Sequence, residues 1–248
     1  MEDNGTMPEG PSIVILKEAA QAFVGQKVVE VSGNRKIDLQ RIQGQTVQEF
    51  ISFGKQFLIR LDNFTIRIHL LLFGTYRINE RKETPPRLSL IFEDGEINFY
   101  GCSVNFIEGD LDKLYDWSAD VMSDAWDPDA AQLKLKNHPQ TMVCDALLNQ
   151  DIFAGSGNII KNEVLYRIRV HPETLIGNLP EDKLEELATE TRNYSFDFLR
   201  WKKQFELKKH WLAHTRKKCL RCELPFSKMY LGKTNRRSFY CANCQIRY

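Results

Sequence analysis

Residues 219–244 read CLRCELPFSKMYLGKTNRRSFYCANC, and this stretch determines how the C-terminal end of the chain folds. It holds two Cys-x2-Cys pairs with 18 residues between them, Cys219 with Cys222 and Cys241 with Cys244. Each pair lies in a tight turn and can supply two ligands to one metal ion, and the spacer is long enough for a short β-hairpin. Four thiolates fill a tetrahedral shell and leave no position for water. The spacing therefore predicts one structural Zn2+ and no catalytic metal.

Two disulfides are the alternative use of these four cysteines. The chain has no apolar run of the roughly 20 residues that a membrane span needs, and its start, MEDNGTMPEGPS, lacks the basic and then apolar pattern of a secretion signal. These features predict an intracellular protein, cytoplasmic or nucleoid-associated, with no membrane contact. Disulfides are rare inside cells, which favours zinc. Cys102 and Cys144 lie in apolar surroundings and are predicted to be buried packing residues.

The charge of the chain is divided unevenly along its length. The formal net charge is only +1, but residues 199–248 hold 14 Lys and Arg against 2 Asp and Glu, whereas residues 1–198 hold 20 against 31. A compact basic region is what a protein uses to bind a polyanion such as nucleic acid, and a solvated basic surface without a partner is the alternative.

Residues 129–217 carry apolar residues at helical spacing. The pattern predicts a helix over 130–149 interrupted at Pro139, a helix after the turn Gly155-Ser156-Gly157-Asn158, one that opens near residue 180, and one over 194–211. The Gly155–Asn158 turn exposes backbone N–H groups that can bind a phosphate; a plain connector is the alternative.

The first 110 residues contain short apolar or alternating runs separated by Gly, Asn and Asp turns. This pattern predicts an antiparallel β-sandwich, preceded by one helix over 13–23. With 42% hydrophobic and 27% charged residues, the composition is that of a globular protein with a sizeable core. The fold class is therefore α+β: an N-terminal antiparallel β-sandwich with a flanking helix, a helical domain, and a C-terminal four-cysteine zinc finger.

Five motifs occur in a fixed order: Met7-Pro8-Glu9-Gly10-Pro11 before a helix, Gly54-Lys55 before a strand, HLLLFG at 69–74, the 155–158 turn, and Arg236 five residues before Cys241. In this order the chain resembles the formamidopyrimidine-DNA glycosylase and endonuclease VIII family of base-excision repair enzymes, and its Pro-Glu-Gly-Pro start is more similar to the endonuclease VIII branch. The resemblance implies a β-sandwich catalytic domain over 8–128, a helix–two-turns–helix DNA-binding domain over 129–214 and a zinc finger over 215–248.

The resemblance also implies an activity and a role for each matching residue. The protein would be a monomeric DNA glycosylase and abasic-site lyase that acts on damaged DNA, preferentially on oxidised pyrimidines, and nicks the strand by β,δ-elimination. Pro8 matches the nucleophilic N-terminal proline that remains once the initiator Met7 is removed, and Glu9 matches the catalytic carboxylate. This chemistry requires that residues 1–6 be absent, because an internal proline has no free amine.

The remaining matches concern contacts with DNA. Lys55 matches a catalytic lysine that contacts a phosphate and assists departure of the base, and Arg236 matches the zinc-finger arginine that binds a phosphate. Asn158 matches the asparagine that binds the DNA backbone. Leu72 matches the residue that enters the base stack, with Phe73 beside it. Ser12 departs from the pattern, since many members carry glutamate there.

Three alternatives remain open. A purine-preferring enzyme of the same fold would remove formamidopyrimidines or 8-oxoguanine. A DNA-binding protein with a blocked N-terminus would recognise damage without catalysis. A generic zinc-ribbon nucleic-acid binder would account for the basic C-terminal region alone, and would leave the other motifs unexplained.

Overall fold

The computed structural model describes residues 8–33 and 36–248. The chain divides into two compact units, the first ending at Tyr115 and the second beginning at Asp116. No helix among the described residues is both long enough and apolar enough to cross a membrane.

The first unit contains two four-stranded antiparallel sheets. The strands are β1 Glu30–Gly33, β2 Glu49–Phe53, β3 Gln56–Arg60, β4 Thr65–His69, β5 Thr75–Ile78, β6 Leu88–Phe92, β7 Gly95–Tyr100 and β8 Ser103–Ile107. One sheet has the strand order β1-β6-β7-β5 and the other β2-β3-β4-β8.

Alternation along the strands places apolar side chains from both sheets in one core. Phe57 of β3 and Phe99 of β7 meet there, with ring centroids 5.9 Å apart. Cys102 lies in the same core, and burial raises its pKa to about 11, as expected of an inert packing thiol. The predicted sandwich is confirmed.

Helix α1, Gly10–Ala20, flanks the sandwich and is followed by a 3-10 turn at Gln21–Phe23. The helix begins three residues earlier than predicted because Glu9 has extended backbone and serves as the N-cap, with a proline in the first turn, where no N–H is needed. Ile13, Leu16 and Ala20 are buried in the sandwich core.

The second unit is helical up to the metal-binding stretch. Its helices are α3 Pro128–Lys136, α4 Val143–Ala146, α5 Asn158–Arg167 and α6 Glu181–Lys203, after a single turn, α2 Leu111–Leu114, at the end of the first unit. Residues Ile176–Asn178 and Leu207–His210 form 3-10 turns. The predicted helix over 130–149 is two short helices, since the chain leaves helical geometry between α3 and α4 around Pro139.

The prediction of two helices over residues 180–211 was wrong. Helix α6 is continuous for 23 residues because one buried stripe runs without a break along its length and no Gly or Pro interrupts it. That stripe consists of Leu184, Leu187, Ala188, Thr191, Tyr194, Ser195 and Phe198.

The metal-binding stretch contains a hairpin of β9, Ser227–Leu231, and β10, Arg236–Tyr240. The two strands are antiparallel, with Arg236 opposite Leu231 and Tyr240 opposite Ser227. The hairpin occupies the spacer between the two cysteine pairs, as the sequence predicts.

Candidate functional site

Pro8 and Glu9 lie at the start of α1. Pro8 is half-buried, and Glu9 is only 1% exposed. The Glu9 carbonyl accepts a hydrogen bond from the Ser12 backbone N–H at 2.8 Å, which fixes the first turn of the helix directly behind Pro8. The interpretation of Met7 as the initiator lies outside the described residues.

Lys55 occupies the two-residue turn that joins β2 and β3. Gly54 takes the first position of the turn with φ +52°, the geometry of a type II′ hairpin turn, and this places Lys55 at the tip. His69, at the end of β4, pairs with Gln56. Burial lowers the pKa of the His69 imidazole, and the positive charges of Lys55 and Arg67 lower it further. The turn therefore carries a cation beside a neutral imidazole.

The loop after His69 presents apolar side chains to solvent. Leu70 is buried and anchors the loop, whereas Leu71 and Leu72 are about half exposed and Phe73 is 90% exposed. Gly74 closes the loop, where a Cβ atom would lie only 2.7 Å from the Gly101 carbonyl oxygen. Three consecutive exposed apolar residues on a pinned loop can insert between stacked groups of a partner. The sequence motif predicts the exposure of Leu72 and Phe73 but not that of Leu71.

Asn158 is the first residue of α5, where helix N–H groups and the positive end of the helix dipole favour an anion. The preceding turn is braced by Gln150, which accepts from the Gly155 N–H at 3.1 Å and donates to the Ser156 carbonyl at 3.1 Å. The Asn158 Oδ1 and Ser156 Oγ atoms are buried, and no described residue hydrogen-bonds to either atom. The Asn158 Oδ1 atom can only accept a hydrogen bond, whereas the Ser156 hydroxyl can donate or accept one.

The four cysteines predicted to bind metal come together. Their Sγ atoms all lie within 4.8 Å of one another, with Cys222 and Cys241 3.5 Å apart and Cys219 and Cys244 3.8 Å apart. Tetrahedral Zn–S bonds of about 2.3 Å require Sγ atoms about 3.8 Å apart, so the cluster fits one ion. Disulfide sulfurs would be about 2 Å apart, and all four cysteines are free thiols.

Buried polar residues of α5 hold the metal-binding end of the chain. Lys161 donates from Nζ to Ser238 Oγ at 2.9 Å and to the Arg237 carbonyl at 3.2 Å. Asn162 Oδ1 accepts from the Phe239 N–H at 3.1 Å. These bonds fix β10 over the start of α5.

The C-terminal half of α5 holds the segment that leads into the cysteines. Glu163, fully buried, accepts from the backbone N–H groups of residues 212, 213 and 214 at 2.8, 2.9 and 2.7 Å. Burial raises the pKa of Glu163, and the three N–H donors oppose that effect. The Tyr166 hydroxyl lies 3.3 Å from Cys219 Sγ. These contacts were not predicted, since nothing in the spacing of the residues distinguishes them from a solvated helix face.

Arg236 is exposed at the start of β10, next to the β9–β10 turn. Asp145 of α4 binds that turn: its carboxylate accepts from the N–H groups of Lys233 at 2.8 Å and Thr234 at 3.1 Å, and from the Thr234 hydroxyl at 2.7 Å. Within the described part of the chain, no carboxylate forms an ion pair with Arg236, so its guanidinium can accept an anion.

Two family profiles match the chain. The formamidopyrimidine-DNA glycosylase N-terminal domain matches residues 7–102, and the formamidopyrimidine-DNA glycosylase H2TH domain matches residues 118–194. The chain belongs to the formamidopyrimidine-DNA glycosylase and endonuclease VIII family. This confirms the resemblance seen in the sequence.

Among curated members of the family, endonuclease 8-like 3 of Xenopus laevis is 28% identical over 84% of this chain and 36% of its own length. The DNA-(apurinic or apyrimidinic site) lyase Nei2 of Mycolicibacterium smegmatis is 28% identical over 71% of this chain and 72% of the relative. The chain thus spans about a third of the length of the endonuclease 8-like 3 relatives.

Solved structures of the family share the fold. The Lactococcus lactis formamidopyrimidine-DNA glycosylase, non-covalently bound to DNA with an abasic site, superposes with a TM-score of 0.83 at 20% identity over 96% of this chain and 99% of that one. A viral DNA glycosylase gives a TM-score of 0.83 at 18% identity over 96% of this chain and 100% of that one. These likenesses confirm the α+β architecture.

Proposed function

We propose that this protein is a bifunctional DNA glycosylase and abasic-site lyase of base-excision repair. The observation that carries the proposal is the position of Pro8, directly before a buried glutamate at the first turn of α1, in a chain of this family. A secondary amine beside a carboxylate held away from water is suited to forming and resolving a Schiff base.

The proposed reaction begins at a free Pro8 amine. An α-amino group titrates near neutrality, so a useful fraction is uncharged and can attack C1′ of the damaged nucleoside. The base departs with the electrons of the glycosidic bond, Glu9 transfers a proton at the sugar ring, and an iminium links Pro8 to C1′. Loss of a proton from C2′ then expels the 3′ phosphate, and a second elimination expels the 5′ phosphate.

DNA binding would draw on both units. In the first unit, Lys55 is proposed to contact a phosphate beside the lesion, and Leu72 and Phe73 to fill the gap that the extruded base leaves. In the second unit, Asn158 and Arg236 are proposed to bind phosphates. The exposure of Phe73 and the position of Asn158 at the N-terminus of α5 support these roles.

Zinc is the metal that we propose for the four cysteines. Thiolate ligands in a cluster of this size suit Zn2+, and four of them leave no position for a reacting water. The ion would fold the residues around the β9–β10 hairpin and so present Arg236, with no part in the chemistry.

We propose oxidised pyrimidines as the preferred substrates. The Pro-Glu-Gly-Pro start, which is similar to the endonuclease VIII branch, and the relatives named endonuclease 8-like 3 support this choice. Excision of 8-oxoguanine in preference to an oxidised pyrimidine, from otherwise identical duplexes, would instead assign the purine specificity.

The test is borohydride trapping on a duplex with one abasic site, comparing protein that begins at Met7 with protein that begins at Met1, followed by mass mapping of the cross-linked peptide. We expect an adduct on Pro8 from the short form alone. No adduct from either form, with tight binding retained, would refute the lyase and indicate a protein that recognises damage without repairing it.

A second comparison isolates Glu9. Glu9→Gln should abolish base excision but keep part of the cleavage at preformed abasic sites, because only the first step needs the proton transfer. Glu18→Gln, an exposed carboxylate on the same helix, is the matched control and should leave both activities unchanged. Equal loss of both activities in Glu9→Gln would show that Glu9 is structural.

A further inference from the structure

Phe205 is an aromatic residue that the fold holds in solvent. Its side chain is 69% exposed, and among large apolar residues in the described ranges only Phe73 is more exposed. Its backbone has φ +58°, in the left-handed region that a bulky side chain rarely adopts. No other aromatic residue within 8–33 and 36–248 has a positive φ.

The strain comes from the way helix α6 ends. The Glu206 N–H donates to the Trp201 carbonyl at 2.8 Å and the Phe205 N–H to the Lys202 carbonyl at 3.1 Å, the two bonds of a Schellman motif. Glycine is the usual residue at the Phe205 position of this motif because it has no Cβ. Backbone strain of this kind persists only where the surrounding structure holds it, and it is often found at functional sites.

The segment is pinned on both sides of Phe205. Leu207 is buried in the core of the second unit. The rings of Trp201 and His210 stack in parallel, with centroids 4.2 Å apart. The chain therefore cannot relax by moving Phe205, and the ring is presented in a fixed position.

The surroundings of Phe205 are strongly basic. Residues 200–209 read RWKKQFELKK, with five cations and one carboxylate. The side chains of Arg200 and Lys209 are 61% and 71% exposed, and they form ion pairs with Asp197 at 2.6 Å and with Glu206 at 2.7 Å. The core of a protein–protein interface would require an apolar surround, which the flanking Gln204 and Glu206 do not supply. An exposed ring among cations is what proteins use to bind single-stranded nucleic acid, by stacking on a base while cations hold the phosphates.

We propose that Phe205 stacks on an unpaired, undamaged base of bound DNA. The proposal rests on the proposed function only in that the chain binds DNA. Bases inside a duplex are stacked on both faces and offer no free surface, so the contact requires single-stranded DNA or a frayed strand.

The test measures fluorescence anisotropy with a labelled undamaged single strand and its matched duplex, together with melting temperatures. Phe205→Gly removes the ring and relieves the strain. We expect the melting temperature to rise by about 2–4 °C. Affinity for the single strand should fall about tenfold, with an unchanged salt dependence because no charge is removed. Affinity for the duplex should not change.

Two further variants serve as controls. Phe205→Trp keeps an aromatic face and should retain binding to the single strand. Phe196→Ala removes a half-exposed phenylalanine on α6 at an ordinary helical position, and should change neither affinity.

Unchanged binding of Phe205→Gly to the single strand, or a lowered melting temperature, would overturn the proposal. Normal binding of undamaged single strands with selective loss of lesion excision would also overturn it, by assigning Phe205 to the damaged base. Failure of the proposed lyase function appears separately, as the absence of a borohydride adduct in the unmodified protein.

Discussion

Acidification should destabilise the second unit through His214, which lies between α5 and the hairpin. Its Nδ1 lies 3.2 Å from the Asn162 side-chain amide, and its ring packs edge-on against Trp211 and Phe239. Burial lowers the pKa of His214 to about 4, with a further contribution from the positive charge of Lys161. The imidazole is therefore neutral in the folded protein at pH 7, with Nδ1 accepting from Asn162.

The size of this loss in stability follows from the difference between the pKa of His214 in the folded state and its pKa in the unfolded state. In the unfolded chain the pKa of His214 is about 6.5, so between pH 6.5 and 4 the unfolded state binds a proton that the folded state does not. The contribution of His214 to stability is complete above pH 6.5 and is lost as the pH falls towards 4. At about 1.4 kcal/mol per pH unit, the total loss is roughly 3 kcal/mol.

Urea unfolding followed by tryptophan fluorescence measures this loss in the second unit alone, because all four tryptophans lie there: Trp117, Trp126, Trp201 and Trp211. His214→Asn keeps an acceptor for Asn162 but cannot become charged. Between pH 6.5 and 4, the free energy of unfolding of the natural protein should fall by about 3 kcal/mol more than that of the variant.

The comparison between the two proteins removes the other titrating groups. The pKa of Glu163 is raised by burial, and the cysteine thiolates release metal in acid, but both effects are common to the natural protein and the variant. Parallel pH profiles in the two proteins would refute the assignment of a buried neutral imidazole to His214.

Three further outcomes concern the second unit. Arg236→Ala should weaken binding to every DNA sequence and lower the slope of log affinity against log salt by about one. Arg247→Ala is the control and should leave the slope unchanged, because the Arg247 guanidinium pairs with Glu173 at 3.6 Å. The same slope for Arg236→Ala as for the natural protein would mean that Arg236 binds no phosphate. Chelating the metal should abolish DNA binding but leave amide protection of the first unit intact, and normal binding without metal would remove the structural role of the cysteines. Asp145→Ala should weaken binding less than Arg236→Ala and add nothing to it in the double variant, measured by anisotropy; additive losses would show that Asp145 acts independently.

The metal cluster could be predicted from the sequence because ligand spacing is a local property. Two Cys-x2-Cys pairs specify a chelating geometry without reference to the rest of the fold. Alternation and turn residues likewise predict the sandwich. The family motifs added Pro8, Glu9 and Asn158 as candidate site residues, which no periodicity identifies.

The contacts of α5 could not be predicted, because they join residues far apart in the sequence. Lys161, Asn162 and Glu163 have the composition of a solvated helix face, yet their partners lie 49 to 77 residues further along the chain. The extent of α6 was missed for a related reason. Tertiary burial of Thr191 and Ser195 continues the stripe across a stretch that looks polar in the sequence.

Leu71 was missed because the family motif points only to Leu72, with Phe73 beside it, and the run Leu70-Leu71-Leu72 does not show which leucines are exposed. In the structure β4 ends at His69, and only Leu70 is buried. The exposure of the next three residues depends on the tight approach of Gly74 to Gly101, which is a tertiary property.

The dependence of the zinc finger on α5 limits how this chain can be recombined. Its hairpin and first cysteine contact Lys161, Asn162 and Tyr166. The finger therefore depends on specific side chains of α5 and is not an independent module. A chimera that receives another finger without a matching α5 would bury the Lys161 ammonium with no acceptor and would leave the Asn162 amide without a hydrogen-bond partner. Helix and finger are therefore a single unit of exchange, and grafts should be cut before residue 158 rather than before Cys219.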